Sequence, residues 1–320
     1  MSRQHVGQGE ISDFCEQRVN LPAEKARQYR EQANWLRDRL DTYIAQNPNF
    51  TLRKMRLSGS LAKGTALRSL NDVDMACYVK VSDAPSDRKG IAEYLADRLR
   101  SIPNVKDHQI VPQTYSVTIT FSGTGLSIDV VPILYDGDPD WYGDLVNRHD
   151  GSLLRTSIPR HIEFARTRKA AQPAHFAQAV RLAKFWAKRM KNERDGFRFK
   201  SFMVELIMAH IADNGTDLSD YPRALTAFFD YIGKTGLADQ IVFEDFYKRA
   251  AVGNFPHPMR IIDPVNAANN VSSLYTRHNV DLIVDAALEA GDAVEAALGA
   301  PTKHETVRYW QKVLGPSFNP

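Results

Sequence analysis

Three aspartates in two short apolar segments are the residues of this 320-residue chain best suited to chemistry. Asp72 and Asp74 stand two apart in NDVDMACYVKV, and Asp129 lies in LSIDVV. Residues two apart on a strand leave the same face, with Cα atoms roughly 6–7 Å apart, so the first pair can turn to one cation. If the two strands are neighbours, three carboxylates meet. Each pair of such charges at about 4 Å repels by roughly 4 kcal/mol at an effective dielectric near 20. The set calls for a counter-ion, and oxygen donors with room for phosphate favour magnesium or manganese. Two ions about 3.5–4 Å apart would activate an attacking hydroxyl and neutralise a leaving pyrophosphate. An isolated Asp-x-Asp is more often a turn than a metal site, so the residues in front of it matter.

Those residues are LSGSLAKGTALRS. Gly59 lets the chain turn sharply and lets backbone approach a ligand closely. Ser60 stands where a helical turn would begin, so its hydroxyl and the amides after it can receive phosphate oxygens. Lys63, Arg68 and Ser69 are near enough in sequence to assist, and Gln113 and Tyr115 are further candidates to face the site.

The elements that would position these groups follow from periodicity. After Pro22, apolar residues Tyr29, Ala33, Leu36, Leu40, Tyr43 and Ile44 recur at helical spacing to about Asn47, giving one long amphipathic helix. LRKMRL reads as a strand running into Gly59, and Val73, Met75, Cys77 and Val79 alternate with Asp72, Asp74, Ala76 and Tyr78, a strand with one apolar face. Ile91, Leu95 and Leu99 mark a helix, and SVTITF and LSIDVVPIL two more strands. An acidic, turn-rich connector spans about 136–160. Beyond it nearly everything reads as helix, over 173–192, 201–213, 221–233 and about 278–298. The fold class expected is α+β and bilobal. Residues 1–160 would form a mixed-sheet lobe with the long helix as a spine, and 161–320 a helical lobe.

LSGSLAKGTALRSLNDVDMACYV and SIDVVPI together resemble the Gly-Ser…Asp-x-Asp signature and third-carboxylate strand of the polymerase β-like nucleotidyltransferases. The resemblance implies that Asp72 and Asp74 bind both metals, that Asp129 completes the site and helps deprotonate the acceptor hydroxyl, and that Ser60 holds the triphosphate. Further on, PAHFAQAVRLAKFWAKRMKN, FKSFMVELI and IIDPVNAANNV are similar to the oligoadenylate synthetase and cyclic GMP-AMP synthase group and its bacterial relatives, the CD-NTases. The likeness covers most of residues 25–275. It assigns Lys184 and Ser201 to the triphosphate and Phe202 to stacking on the base, and maps the Asp-Pro…Asn-Asn segment onto Asp263, Pro264, Asn269 and Asn270. Asp263 reads as a turn anchor, and Ala267 stands where the family has a second proline. The family's activity is synthesis of cyclic di- or trinucleotide messengers in anti-phage (CBASS) signalling, and the pattern is nearest the clade with a HORMA-domain regulator. ATP, with or without a second nucleoside triphosphate, would be the substrate. Acceptors such as an RNA 3′ end, a protein hydroxyl or an aminoglycoside form the competing reading, and a non-catalytic nucleic-acid module a third.

Composition fits this reading. A hydrophobic fraction of 43% and a charged fraction of 25% are those of a soluble globular protein. The start, MSRQHVGQGEISDF, has no signal-peptide core, and two cysteines make neither a disulfide framework nor a four-ligand zinc site, so a reduced, cytoplasmic setting without a membrane is expected. Net charge is only +3, yet ten Lys and Arg side chains fall between Arg160 and Lys200 against three acids. In the helix about 173–192, Phe176, Val180, Ala183, Ala187 and Met190 would form the buried face, and Arg181, Lys184, Lys188 and Lys191 an exposed basic stripe. This region is a candidate surface for double-stranded DNA as an activator, with Arg166, Arg168, Lys169, Lys188 and Lys191 as contacts. Ser201 is the expected N-cap of the helix that follows.

Overall fold

The computed structural model describes residues 5–105, 109–113, 115–147 and 149–320. The chain divides into two compact units, Leu21–Glu163 and Met1–Asn20 together with Phe164–Pro320. The division therefore differs from the expected one at the start of the chain. Helix α1 (Gln8–Phe14) and the π-helical turn Cys15–Val19 belong with the second unit. Apolar burial and side-chain bonds tie them there. Ile11, Phe14 and Val19 are buried, and Phe14 meets Phe185 and Phe318 edge-on. Gln8 donates to the Ser219 carbonyl (2.7 Å) and accepts from the Tyr221 amide (2.9 Å), and Asn20 donates to Gln178 (2.9 Å).

The first unit opens with the long helix α2 (Ala23–Gln46), which buries Ala26, Ala33, Leu36 and Leu40. There follow β1 (Leu52–Leu57), α3 (Gly59–Lys63), β2 (Asp72–Lys80), α4 (Ile91–Arg100), β3 (Gln109–Pro112), β4 (Val117–Thr120), β5 (Ser127–Tyr135), β6 (Gly143–Val146) and β7 (Leu153–Thr156). The strands make one mixed sheet in the order β1-β2-β5-β4-β3, with β6 pairing β5 and β7. β2 and β5 run parallel, and the other pairs are antiparallel. One face of β2 and β5, carrying Val73, Met75, Cys77, Val79, Ile128 and Val130, packs with Leu36 and Leu40 of α2 and Leu95 and Leu99 of α4. Each such side chain removed from water stabilises the unit by about 1.5–3 kcal/mol.

Alternation along β2 predicts a single apolar face, and here the structure differs. Ala76, Tyr78 and Ile133 form a second cluster on the opposite face, covered by Tyr135, Trp141, Leu145 and Ile158. The beginning of that face, where the aspartates lie, stays open. Strands β3, β6 and β7, each only four residues long, carry no period-two pattern strong enough to predict them.

Helix α5 (Ile158–Ala171) spans the division between the units. The second unit then holds α6 (His175–Glu193), α7 (Ser201–Asp213), α8 (Tyr221–Thr235), β8 (Gln240–Ile241), β9 (Arg260–Asp263), β10 (Asn266–Asn270), α9 (Arg277–Gly299) and α10 (Lys303–Leu314). Its core centres on fully buried Trp186, whose ring meets Phe197, Phe199, Phe228 and Phe229 edge-on. The expectation of helix nearly throughout is corrected by β8–β9–β10, a small sheet. Its hairpin is tied by Asp263, which accepts from the Val265 amide (2.9 Å) and from Asn269 (3.0 Å), while Asn270 donates to the Met259 carbonyl (3.0 Å). Asp263 is thus a turn anchor. Among the described residues no helix is long and apolar enough to cross a membrane.

Candidate active site

The parallel register of β2 and β5 decides where the aspartates go. Asp74 lies opposite Asp129, and Asp72 opposite Ser127. Directly paired residues project from the same face, so the three carboxylates occupy one side of the sheet. Asp72 is exposed there, and Asp74 and Asp129 are half-buried. The next strand out, β4, continues the two rows: Thr118 pairs with Asp129 and Thr120 with Ser127. The Thr118 hydroxyl donates to Asp129 Oδ1 at 2.6 Å, and the Thr120 and Ser127 hydroxyls lie 3.3 Å apart.

On the other side of Asp74, the chain leaves β1. The Ser58 amide donates to the Asp74 carbonyl at 2.9 Å, and Gly59 follows with φ +61°. A β-carbon on Gly59 would fall inside the Asp74 carboxylate. Gly59 is therefore required twice, by its backbone conformation and by the closeness of that acid. Ser58 caps α3, leaving Ser60 in its first turn, half-buried, before the helix ends at Gly64 with φ 73°.

Burial raises the Asp72 carboxyl above the usual carboxylate range, and the charge of Asp129 raises it further. The acids thus sense one another across the strands, as expected of like charges in a partly desolvated setting. Among the described residues no three His, Cys, Asp or Glu side chains close around one point as a preformed cage. The residues still fit a hard divalent cation. They offer oxygen donors, they stand on an open part of the face, and their mutual repulsion is what a cation would relieve.

The candidates of the second unit are placed differently. Ser201 is exposed as the first residue of α7, and the N-cap is Lys200 rather than Ser201. Phe202 is half-buried. Lys184 does not lie on an exposed stripe: it is 4% exposed and paired with Glu205, itself 1% exposed, at 3.3 Å. Arg181 is likewise half-buried, bonded to Gln178 at 2.6 Å, so of the four expected stripe residues Lys188 and Lys191 reach the surface. The reason is that α6 buries eleven of its nineteen residues, too wide a face for a one-sided amphipathic helix.

Arg168 is also corrected. It is buried between Asp213 (2.5 Å) and Asp245 (2.9 Å), with its guanidinium 3.6 Å from the Phe164 ring centre, and is no surface for DNA. Burial alone would lower its pKa, but the two acids outweigh burial and hold it charged, whereas burial outweighs Arg168 at Asp213 and raises that carboxyl. Arg166, Lys169, Lys188 and Lys191 are exposed.

No family model matches the chain. Full-length relatives do. A cyclic AMP-AMP-AMP synthase of Escherichia coli strain MS 115-1 is 57% identical over 319 residues, covering 99% of both chains. A CBASS oligonucleotide cyclase CdnC of E. coli strain KTE188 is 32% identical over 309 residues, 94% of this chain and 93% of the relative. The chain belongs to the CBASS oligonucleotide cyclases. Two solved structures of E. coli MS115-1 CdnC, one with ATP and one in complex with HORMA-deltaN, match this cyclase at 56% identity and TM-score 0.95, covering at least 99% of each chain. Vibrio cholerae DncV cyclic AMP-GMP synthase, bound to the linear intermediate pppA(3′,5′)pG, shares the fold at TM-score 0.69 with 11% identity over 99% and 98% of the two chains.

The protein is therefore a nucleotidyltransferase of antiviral signalling that closes nucleotides into a cyclic oligonucleotide, and enzymes of this family use divalent metals. Membership sets aside the RNA-end, protein and aminoglycoside acceptors as well as a non-catalytic module. What sequence reasoning missed are the hydroxyls of Thr118, Thr120 and Ser127. Their only signal was threonine and serine alternating in SVTITF and LSIDVV, and it acquires meaning once the strand register is known.

Proposed function

We propose that the cyclase uses ATP and joins three adenylates into a ring, with magnesium or manganese, two ions, at Asp72, Asp74 and Asp129. One observation carries the reading above the others. The acid face beside Gly59 stands in a chain 57% identical, end to end, to a cyclic AMP-AMP-AMP synthase. ATP as substrate is supported by the CdnC structure with ATP, and a HORMA-domain partner by the CdnC:HORMA-deltaN complex. The setting inferred is the cytoplasm.

In this reaction Ser60 and the backbone after Gly59 receive the triphosphate, Asp72 and Asp74 would hold the cations, and Asp129 takes up the proton of the attacking ribose hydroxyl. The hydroxyl oxygen bonds to the α-phosphorus as the bond to pyrophosphate breaks. The cations, when bound, supply charge neutralisation of the triphosphate and acidify the attacking hydroxyl. Positioning and electrostatics do the rest. On the helical unit, Ser201 is assigned to phosphate and Phe202 to the base, by the family resemblance. A phosphate contact by Lys184 would have to exchange for its ion pair with Glu205.

The test is mass spectrometry of the product formed from all four ribonucleoside triphosphates with a divalent cation, in the presence and absence of a HORMA-domain protein and double-stranded DNA. A cyclic triadenylate from the wild type and nothing from Asp72→Asn with Asp74→Asn is expected. Turnover by the folded double variant overturns the site, and a product of other bases or ring size overturns the substrate reading.

A further inference from the structure

Thr118 is the one side chain among the described residues that hydrogen-bonds the Asp129 carboxylate. Its 2.6 Å contact has the length of an O–H···O⁻ bond, a charge-assisted and comparatively strong class. The two residues face each other across the antiparallel β4–β5 ladder, where directly opposed side chains stand about 4.5–5.5 Å apart at Cβ. Both are half-buried. Threonine is β-branched and stiff at χ1, so the strand that carries the hydroxyl also aims it. The bond occupies Oδ1 and leaves Oδ2 as the oxygen available to a cation or to the proton of an attacking hydroxyl.

A carboxylate on a strand can turn about its terminal torsion, which is broad and roughly two-fold. Asp129 lies among like charges, since Asp74 stands directly opposite it across the β2–β5 ladder and Asp72 shares that face. Repulsion would turn an untethered group away from the other acids, and an opposing donor prevents that. We propose that Thr118 is a positioning residue of the cyclase. Its hydroxyl holds the Asp129 carboxylate in one orientation on the acid face, so that Oδ2 is presented to the cation and the nucleophile. Nothing is transferred through Thr118 itself. The inference rests on the assignment of Asp129 to the reacting centre.

Three variants test it: Thr118→Val, which keeps shape and strand preference without the hydroxyl, Thr118→Ser, which keeps the hydroxyl, and Asp129→Asn. Loss of a hydrogen bond to a charged group corresponds to a fall of about ten- to hundredfold in rate. That fall is expected in kcat of Thr118→Val, with KM for ATP within about twofold, and Thr118→Ser should recover most of it. Manganese binding, read by electron paramagnetic resonance with a nonhydrolysable ATP analogue, should weaken in Thr118→Val and not in Thr118→Ser. Unchanged kcat and manganese binding in Thr118→Val, beside an inactive Asp129→Asn, overturns the role of Thr118 alone. An active Asp129→Asn overturns the placement of Asp129 instead. If Thr118→Ser is as impaired as Thr118→Val in both readouts, the methyl group and not the hydroxyl matters, and the proposal fails.

Discussion

Charged side chains are used in opposite ways in the two units. On the sheet of Leu21–Glu163, Asp72, Asp74 and Asp129 crowd one open stretch of strand, and burial together with Asp129 raises the Asp72 carboxyl. In the helical unit, Lys184 meets Glu205 and Arg168 meets Asp213 and Asp245, each cation away from water. Like charges gathered at a surface cost stability and persist where a ligand relieves them. Opposite charges closed into a core hold helices in place. Pairing and exposure, more than residue type, separate a site from a scaffold.

The largest effect that would break this contrast concerns the buried pair. Glu205→Ala leaves the Lys184 ammonium buried without its carboxylate and should destabilise the protein by about 3–5 kcal/mol in denaturant unfolding. A loss below about 1 kcal/mol, on the scale of an exposed pair, would show that this pair is no scaffold. Next comes the acid face. Gly59→Ala drives a β-carbon into the Asp74 carboxylate, and a displacement of about 1 Å there should cost about 100-fold in kcat/KM. An alanine variant with wild-type turnover would mean that the close approach is incidental.

A smaller effect sharpens the comparison at the surface. Should double-stranded DNA bind, Lys188→Ala and Lys191→Ala would each lower the slope of log affinity against log salt by about 0.9 for every phosphate left unneutralised. Arg168→Ala should change unfolding and leave that slope alone, and a slope that drops for Arg168→Ala would put it on the DNA surface after all.

The smallest effect is in pH. The folded chain holds the Asp72 proton more tightly than the unfolded chain does, because its carboxyl is raised. Its contribution to stability is therefore greatest at low pH and declines as pH rises through and just above the ordinary carboxylate range. Asp72→Asn should flatten that decline in melting temperature measured without divalent cations. An unchanged profile would mean that the repulsion on this face is negligible.

Much of the candidate site's local geometry was legible in the chain. Period-two spacing put Asp72 and Asp74 on one face, and the glycine at 59 and helix α2 were readable from local rules. Charge placement was not legible in the same way. Lys184 and Arg181 looked like a solvated stripe at helical spacing, since nothing local tells that α7 lies against that side of α6 with Glu205. Arg168 looked like one more cation in a basic run because its acids are 45 and 77 residues away. The four-residue strands β3, β6 and β7 lie beneath what periodicity resolves.

The sequence by itself determined which acids are candidates for the site, their two-residue spacing, the turn at Gly59 and the class of most long helices. These depend on neighbours along the chain, where backbone geometry and side-chain alternation suffice. Only the tertiary structure decided that β2 and β5 pair in parallel with Asp74 beside Asp129, that Thr118 reaches the same acid, and that Lys184 and Arg168 are buried with partners. Those outcomes depend on strand register and helix packing between distant segments, which no local pattern encodes.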